Sequence, residues 1–337
     1  MSGRWRRRPE GSTWGDWGAD DQRGRLNLIG PEQVRNAVAE VREGRTFCLS
    51  LPLDYPGGNV LSPVRFPPRL RAVVRNDAAY YNYEWRQLDP RLTDIACDDV
   101  VELHTQYSTQ WDSLAHRGAL FDADGDGVLE PVYYNGYRAG EHVVMGDDQT
   151  VAAAALGIEN MATHGVQGRG VLVDLFSHFG AKPRKLVGYR DLLSVMEADG
   201  VTVEPGDILC LWTGLDRELL AMKGQPDASV KERYAVLDGF DRELREWIRD
   251  SGVAAIASDS IAVEAAGQPL PRDYVGSNLP LHDLCLFELG VHLGELWWLA
   301  ELAAWLRESG RSRFLLTAPP LRLPGAVGSP VTPIATV

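Results

Sequence analysis

Between Gln106 and His116 the chain places two carboxamides, a carboxylate and an imidazole within eleven residues: Gln106-Tyr107-Ser108-Thr109-Gln110-Trp111-Asp112-Ser113-Leu114-Ala115-His116. Gln106, Gln110, Asp112 and His116 are separated by even numbers of residues, and on an extended strand even spacing turns side chains to one face. Four such groups on a buried face are costly without partners. A divalent ion with bound water is one set of partners, since Asp is a general ligand and Gln can coordinate through its carbonyl oxygen. A hydrogen-bonded ladder along a polar strand edge is another, and the residue types alone do not choose between them. His116 falls just past the expected strand end, where it could reach a substrate.

Other candidates compete with this segment. His282 follows Pro280-Leu281, and Glu295 stands among Leu296, Trp297, Trp298 and Leu299. The span 288–307 reads as a helix, on which Glu295 is either solvent-facing or bound to something. An ordinary amphipathic position is the plainer reading. His292, three residues earlier on the same helix face, is a rival ligand. Asp122, Asp124 and Asp126 resemble the opening of a calcium loop, but the twelfth position holds Tyr133, so an acidic surface loop is expected. Gly168-Arg169-Gly170 precedes a strand and is too short for a dinucleotide fingerprint. Ser108 and Ser113 lack the G-x-S-x-G setting of a hydrolase nucleophile. His164 has no acidic neighbour in sequence and reads as structural.

The elements that must position these groups alternate along the chain. Apolar runs at 170–174, 207–212, 253–257 and 313–317 read as buried strands. Helical patterns at 31–43, 148–161, 189–198, 231–249 and 288–307 fall among them, and 46–53 and 100–111 read as strands of a more β-rich first third. A mixed α/β domain follows. Residues 1–25 form a Trp-, Arg- and Gly-rich extension expected to be partly flexible, ahead of one catalytic domain over 26–330.

Composition narrows the function classes. At 337 residues, with 45% apolar and 24% charged residues, the chain can bury a large core. A net charge of -13 argues against nucleic acid, whose phosphates need a basic surface. The apolar stretch 293–306 is interrupted by Glu295 and Glu301 and is too short to span a bilayer. The opening arginines are not followed by an apolar run, so no signal peptide is expected. Cys48, Cys97, Cys210 and Cys285 form no CxxC pair and read as reduced thiols of a cytoplasmic protein.

Taken together, these residues resemble the cyclase superfamily of metal-dependent hydrolases, which includes kynurenine formamidase and isatin hydrolase. The family signature H-x-G-T-H-x-D-x-P-x-H is met in register by Thr109, Asp112 and His116. Gln106 and Gln110 replace its two early histidines, Ser108 its glycine and Leu114 its proline. The form Q-x-x-x-Q-W-D-x-x-x-H is similar to the branch containing zinc-dependent trans-dienelactone hydrolase. Asp20-Asp21-Gln22-Arg23-Gly24 with Leu26-Asn27-Leu28, the 168–174 and 204–207 segments, and Ser258-Asp259 with Glu264 extend the likeness over roughly residues 15–325.

The resemblance implies a swivelling β/β/α domain with a β-barrel-like core. It implies a metal site of Gln106, Gln110, Asp112, His282 and Glu295, the last two at the start of and within a helix, with His292 demoted and His116 left as general acid and base. One divalent metal is expected, zinc first and manganese second, because glutamine is a weaker and harder ligand than histidine. The expected reaction is hydrolysis of a lactone, cyclic amide or related carbonyl in a small-molecule substrate, with Trp111 and Tyr134 walling the pocket and Arg169 holding any anionic group. The alternatives are a metal-assisted cyclase or dehydratase and a non-catalytic binding protein on the same fold. Family members commonly form homodimers or homotetramers.

Overall fold

Three apolar runs, at 170–174, 207–212 and 253–257, become parallel strands at the centre of one sheet, joined by a fourth parallel strand that carries His292 and Glu295. The computed structural model describes residues 3–181 and 183–337. We number the nine strands of the main sheet along the chain: β1 (Thr46–Cys48), β2 (Gln110–Asp112), β3 (Gln167–Asp174), β4 (Ile208–Trp212), β5 (Ala255–Ser258), β6 (His292–Glu295), β7 (Arg313–Thr317), β8 (Gly328–Pro330) and β9 (Ile334–Thr336). Their order across the sheet is β1-β9-β7-β3-β4-β5-β6-β2-β8. The inner block β3-β4-β5-β6 is parallel, and antiparallel strands extend it on both sides. The sheet curls into a half-barrel ringed by helices, as the expected fold class requires.

Both faces of this sheet are covered, which explains the continuous apolar runs. Val171, Val173, Leu209, Leu211, Ile256 and Leu293 pack into one cluster, while Leu172, Ile208, Cys210, Ala255 and Ala257 pack into another. Alternate residues therefore point to opposite faces. The first face is covered by α4 (Tyr189–Ala198) and α6 (Arg242–Ser251), through Leu192, Val195, Met196, Leu244 and Ile248. The second is covered by α8 (Ala300–Ser309), through Leu302, Ala303 and Leu306. These i, i+3, i+4 stripes are what an amphipathic helix needs to cap a sheet.

Several expected boundaries move. The 100–111 strand divides into a ribbon strand at Asp99–Glu102 and β2, with a turn between them, so Gln106 lies off the strand. The 288–307 helix also divides: a π-helical turn at Asp283–Leu289 ends at Gly290, β6 follows, and α8 starts only at Ala300. Glu295 is therefore on a buried strand, where apolar runs mimic helix. The 148–161 pattern holds a strand at Val151–Ala153 and α2 (Glu159–His164). The 189–198 helix and the 313–317 strand lie where the sequence puts them.

The N-terminal segment is docked rather than loose. Trp14 is fully buried and donates through Nε1 to the Phe287 carbonyl at 2.7 Å. The Arg25 guanidinium bonds the carbonyls of Ile248 and Arg249. Gly24 crosses Gly290 so closely that a Cβ on Gly24 would stand 2.1 Å from the Gly290 carbonyl oxygen. This crossing needs glycine and ties the segment to the chain just ahead of β6.

Two buried acids organise the sheet's C-terminal edge. Asp259 accepts from the backbone N–H groups of Thr213 and Gly214 at 2.8 Å each and of Asp216 at 3.3 Å, closing the start of α5 (Leu215–Ala221). Asp216 accepts from Leu299 and Ala300, each at 2.8 Å, at the start of α8, and from Trp212 Nε1 at 3.1 Å. Burial raises both carboxyls above the ordinary range.

Candidate metal centre

Antiparallel pairing of β2 with β6 puts Gln110 opposite Glu295 and Asp112 opposite Leu293. All four face the first cluster's side of the sheet, while Trp111 and Gly294 face the other. His282 is added from the single turn α7 (Pro280–His282) above the strand ends. Asp112, His282 and Glu295 are each at most 3% exposed, and one ligand atom from each lies within 4.8 Å of the others.

The hydrogen bonds within this group leave it short of positive charge. His282 Nε2 is 3.3 Å from Glu295 Oε1, and its Nδ1 bonds Glu264 Oε1 at 2.8 Å. Glu264 also accepts from the backbone N–H groups of Leu281 and His282, so it fixes the ring's orientation and leaves Nε2 facing the carboxylates. Gln110 Nε2 donates to Asp112 Oδ1 at 3.2 Å and to Glu295 Oε2 at 2.9 Å. Asp112 Oδ2, Gln110 Oε1 and Gln106 Nε2 are buried with no hydrogen-bond partner among the described residues. Gln106, in its turn, lies over Gly328, the β8 residue paired with Asp112.

Three buried carboxylates, those of Asp112, Glu264 and Glu295, thus face the imidazoles of His282 and His116 and the half-buried Arg65, whose Nη1 is 4.0 Å from Glu295 Oε2. Burial pulls the His282 imidazolium down, but its bonds to Glu264 and Glu295 outweigh that and raise its pKa to about 9. Burial likewise pushes the Asp112 carboxyl up. With a convergent His/Asp/Glu set and an orphaned carboxylate oxygen, the residues present fit a divalent ion.

His116 lies in the turn after β2, with Nε2 3.8 Å from Asp112 Oδ2 and 19% of its side chain exposed. Burial lowers its pKa against the raising effect of Asp112, so it is a neutral acceptor at pH 7.

Three residues expected to bind substrate are engaged elsewhere. Trp111 is fully buried on the opposite face, bonded to the Ala318 carbonyl at 2.9 Å and packed edge-on against Trp297. Its strand neighbours are in the site and, by alternation, it is not. Tyr134 is fully buried against the N-terminal segment, with its hydroxyl near Thr13 and Asp21. Arg169 is held by Asp207 through two bonds of 2.7 and 3.1 Å and by Glu204 at 2.8 Å, which occupies the fork an anion would need. His292 sits three residues from Glu295 on a strand, not a helix, so it faces away; it is buried and its Nδ1 has no partner among the described residues. Asp122 accepts from the N–H groups of Gly125 and Gly127 within its own loop. Glu264 and Arg65 carry no local signal of a role at the centre, because what defines each is its spatial neighbours. No helix among the described residues is long and apolar enough to cross a membrane.

The Cyclase family model, described as "Putative cyclase", matches residues 49–265, which include the 106–116 segment and Glu264. A crystal structure described as a novel cyclase is 33% identical, with a TM-score of 0.74, over 97% of each chain. Isatin hydrolase A from Ralstonia solanacearum is 14% identical, with a TM-score of 0.57, over 91% of this chain and 98% of its own. Isatin hydrolase A from Labrenzia aggregata, bound to benzyl benzoate, is 12% identical, with a TM-score of 0.56, over 90% of this chain and 98% of its own. The two isatin hydrolases share the fold. Among curated proteins there is no match.

Proposed function

The chain belongs to the cyclase family, and on that premise we propose that it is a metal-dependent hydrolase that opens a lactone, cyclic amide or related carbonyl substrate, with His116 as general base and then acid. The observation that carries this reading is the convergence of Asp112, His282 and Glu295 beside a neutral His116. A divalent ion held by these three would supply Lewis-acid polarisation of a carbonyl and make water more acidic. Two carboxylates and an imidazole suit zinc first and manganese second. The carboxamides of Gln106 and Gln110, each with an unpartnered buried atom, support amide contacts to whatever occupies the centre.

The chain's own groups then divide the work. Glu264 holds the Nδ1 side of His282 and so presents Nε2 inward. Gln110 bridges Asp112 and Glu295 and keeps the two carboxylates from spreading under their mutual repulsion. His116 takes a proton from water at Nε2 and returns it to the leaving oxygen or nitrogen, a role suited to an imidazole neutral at pH 7. Asp112 beside it favours the imidazolium that forms. The glutamine-substituted signature supports the trans-dienelactone hydrolase branch over the formamidase branch, and so favours lactones over amides. We further propose a homodimer or homotetramer acting on a small molecule.

The test is turnover of a panel of lactones and cyclic amides in oxygen-18 water, with metal-stripped and zinc- or manganese-reloaded protein. Solvent oxygen should enter the product only after reloading. His116→Ala should retain its metal and lose about 10²–10⁴-fold in rate. Full activity of stripped protein, or product formed without solvent oxygen, would overturn the proposal.

A further inference from the structure

β6 ends at Glu295, and the way it ends decides what faces the metal centre. Side chains alternate on a regular strand, so the residue two positions beyond Glu295 would share its face. That residue is Trp297, and an extended chain would bring its indole to the side of Gln110, Asp112 and Glu295. Instead Trp297 is fully buried on the opposite face, edge-on against Trp111 and donating through Nε1 to the Gln110 carbonyl at 3.2 Å.

The reversal is made at Leu296, whose φ is +56°. This is the left-handed region, which residues other than glycine rarely adopt, and a leucine stays there only where its surroundings hold it. The Leu296 N–H donates to the Ser260 carbonyl at 3.0 Å, and the next N–H, that of Trp297, donates to the Ser258 carbonyl at 3.1 Å. The Leu296 carbonyl accepts from the Thr109 hydroxyl at 2.5 Å. The Leu296 side chain packs with Leu51 and Leu61 in a third apolar cluster, apart from the two that flank the sheet.

Two of these three bonds join backbone groups, which almost any residue types could make. Only the third depends on a side chain. Thr109 is fully buried, and its hydroxyl also accepts from the Leu51 N–H at 2.9 Å. A hydroxyl has one proton to give and lone pairs to receive, so a single group serves both partners. Branching at Cβ restricts its χ1 and keeps the oxygen in place. Thr109 directly precedes Gln110, and Leu296 directly follows Glu295. The hydroxyl therefore clips the start of β2 to the end of β6 right beside the paired residues Gln110 and Glu295.

We infer that Thr109 is a positioning residue for the metal centre: its hydroxyl locks the left-handed turn at Leu296, which leaves Glu295 facing the centre and turns Trp297 away from it. The inference rests on the metal-centre reading above and adds to it a residue outside the ligand set. What the lock protects is the place of the Glu295 carboxylate against Gln110 Nε2 and His282 Nε2.

The experiment measures zinc affinity by competition with a chelator, and exchange of the Leu296 and Trp297 backbone amides in heavy water, on wild type, Thr109→Val, Thr109→Ser and Asp259→Asn. Thr109→Val keeps the branched shape and loses the hydroxyl. It should bind zinc about 10–100-fold more weakly, the usual reach of a residue one step outside a metal's ligands, and both amides should exchange faster. Thr109→Ser keeps the hydroxyl and should bind zinc as wild type does. Asp259→Asn disturbs a buried acid outside the centre, so it should lower the melting temperature and leave zinc affinity unchanged. In the cobalt-loaded protein, the visible absorption bands follow ligand geometry, so they should shift in Thr109→Val and not in Asp259→Asn. If Thr109→Val does not fold, Thr109→Cys takes its place; its weak S–H donor should cost about 3–10-fold in affinity. Wild-type zinc affinity in the folded Val or Cys variant overturns the inference and leaves the metal-dependent hydrolase reading intact. So does an equal loss of affinity in Asp259→Asn at the same fall in melting temperature. If wild type binds no divalent ion, the metal-centre reading fails, and amide exchange alone decides the lock: unchanged exchange in Thr109→Val overturns it.

Discussion

Two pairs of buried carboxylates, one on the sheet and one just beyond its strand ends, have opposite meanings. Asp216 and Asp259 are saturated by backbone N–H donors at the starts of α5 and α8, and by an indole that ties α5 to β4. Asp112 and Glu295 share one amide donor, only Glu295 pairs with the His282 imidazole, and Asp112 Oδ2 has no partner among the described residues. Both pairs are deeply buried, and burial raises the pKa of Asp112, Asp216 and Asp259 alike. Neither burial nor a raised pKa therefore marks the functional pair. What separates them is whether the protein itself satisfies the oxygens, since an unsatisfied buried carboxylate is tolerated only where something else completes it.

The sharpest way to break this contrast is Asp112→Asn. If the orphaned oxygen belongs to a bound ion, elemental analysis should fall from about one ion per chain towards none. Hydrolysis should fall by roughly 10³-fold or more, the equivalent of several kcal/mol of transition-state stabilisation. Retained metal would place Asp112 with the structural acids.

A smaller effect is expected one step out. Glu264→Gln keeps the shape but weakens the grip on His282 Nδ1, so metal affinity measured by competition with a chelator should drop about 10–100-fold. An unchanged affinity would mean that the His282 ring is held by packing alone.

The smallest effect belongs to the other pair. Asp259→Asn puts an amide N–H₂ where an oxygen accepted backbone donors, at a cost of about 1–3 kcal/mol in denaturant unfolding, with metal content unchanged. The pH slopes should also oppose one another. Burial holds the Asp259 carboxyl above its unfolded value of about 3.9, so its contribution to stability is present below that pH and is lost as pH rises through the raised native value. At the metal centre His282 keeps its proton up to about 9 without an ion, so ion uptake expels protons and strengthens as pH rises towards that value. Parallel slopes would erase the distinction.

The same contrast explains what the sequence could disclose. Three of the inner strands, β3, β4 and β5, were legible because both faces are buried and their apolar runs are unbroken. Asp112 and His116 were legible because charged types are conspicuous in such surroundings. Glu295 was placed on a helix because an apolar run has no period of its own, and β6 and α8 follow one another within a few residues. Trp111 was expected in the pocket for its sequence position, but alternation on β2 sends it into the core beneath. Arg65 was not legible at all, and Glu264 only as part of a family-like segment, because the partners that give them a role at the centre lie 230 and 18 positions away.

Trp14 and its partner Phe287 are separated by 273 positions. At a synthesis rate of about 5–20 residues per second, the indole leaves the ribosome roughly 15–55 s before the carbonyl that will receive it exists. Over that interval the segment has only its nearer partners, such as Phe121 beside Trp14 and Asn135 on the 18–21 backbone, and the crossing of Gly24 over Gly290 cannot form. Its closure therefore waits until nearly the whole chain has emerged.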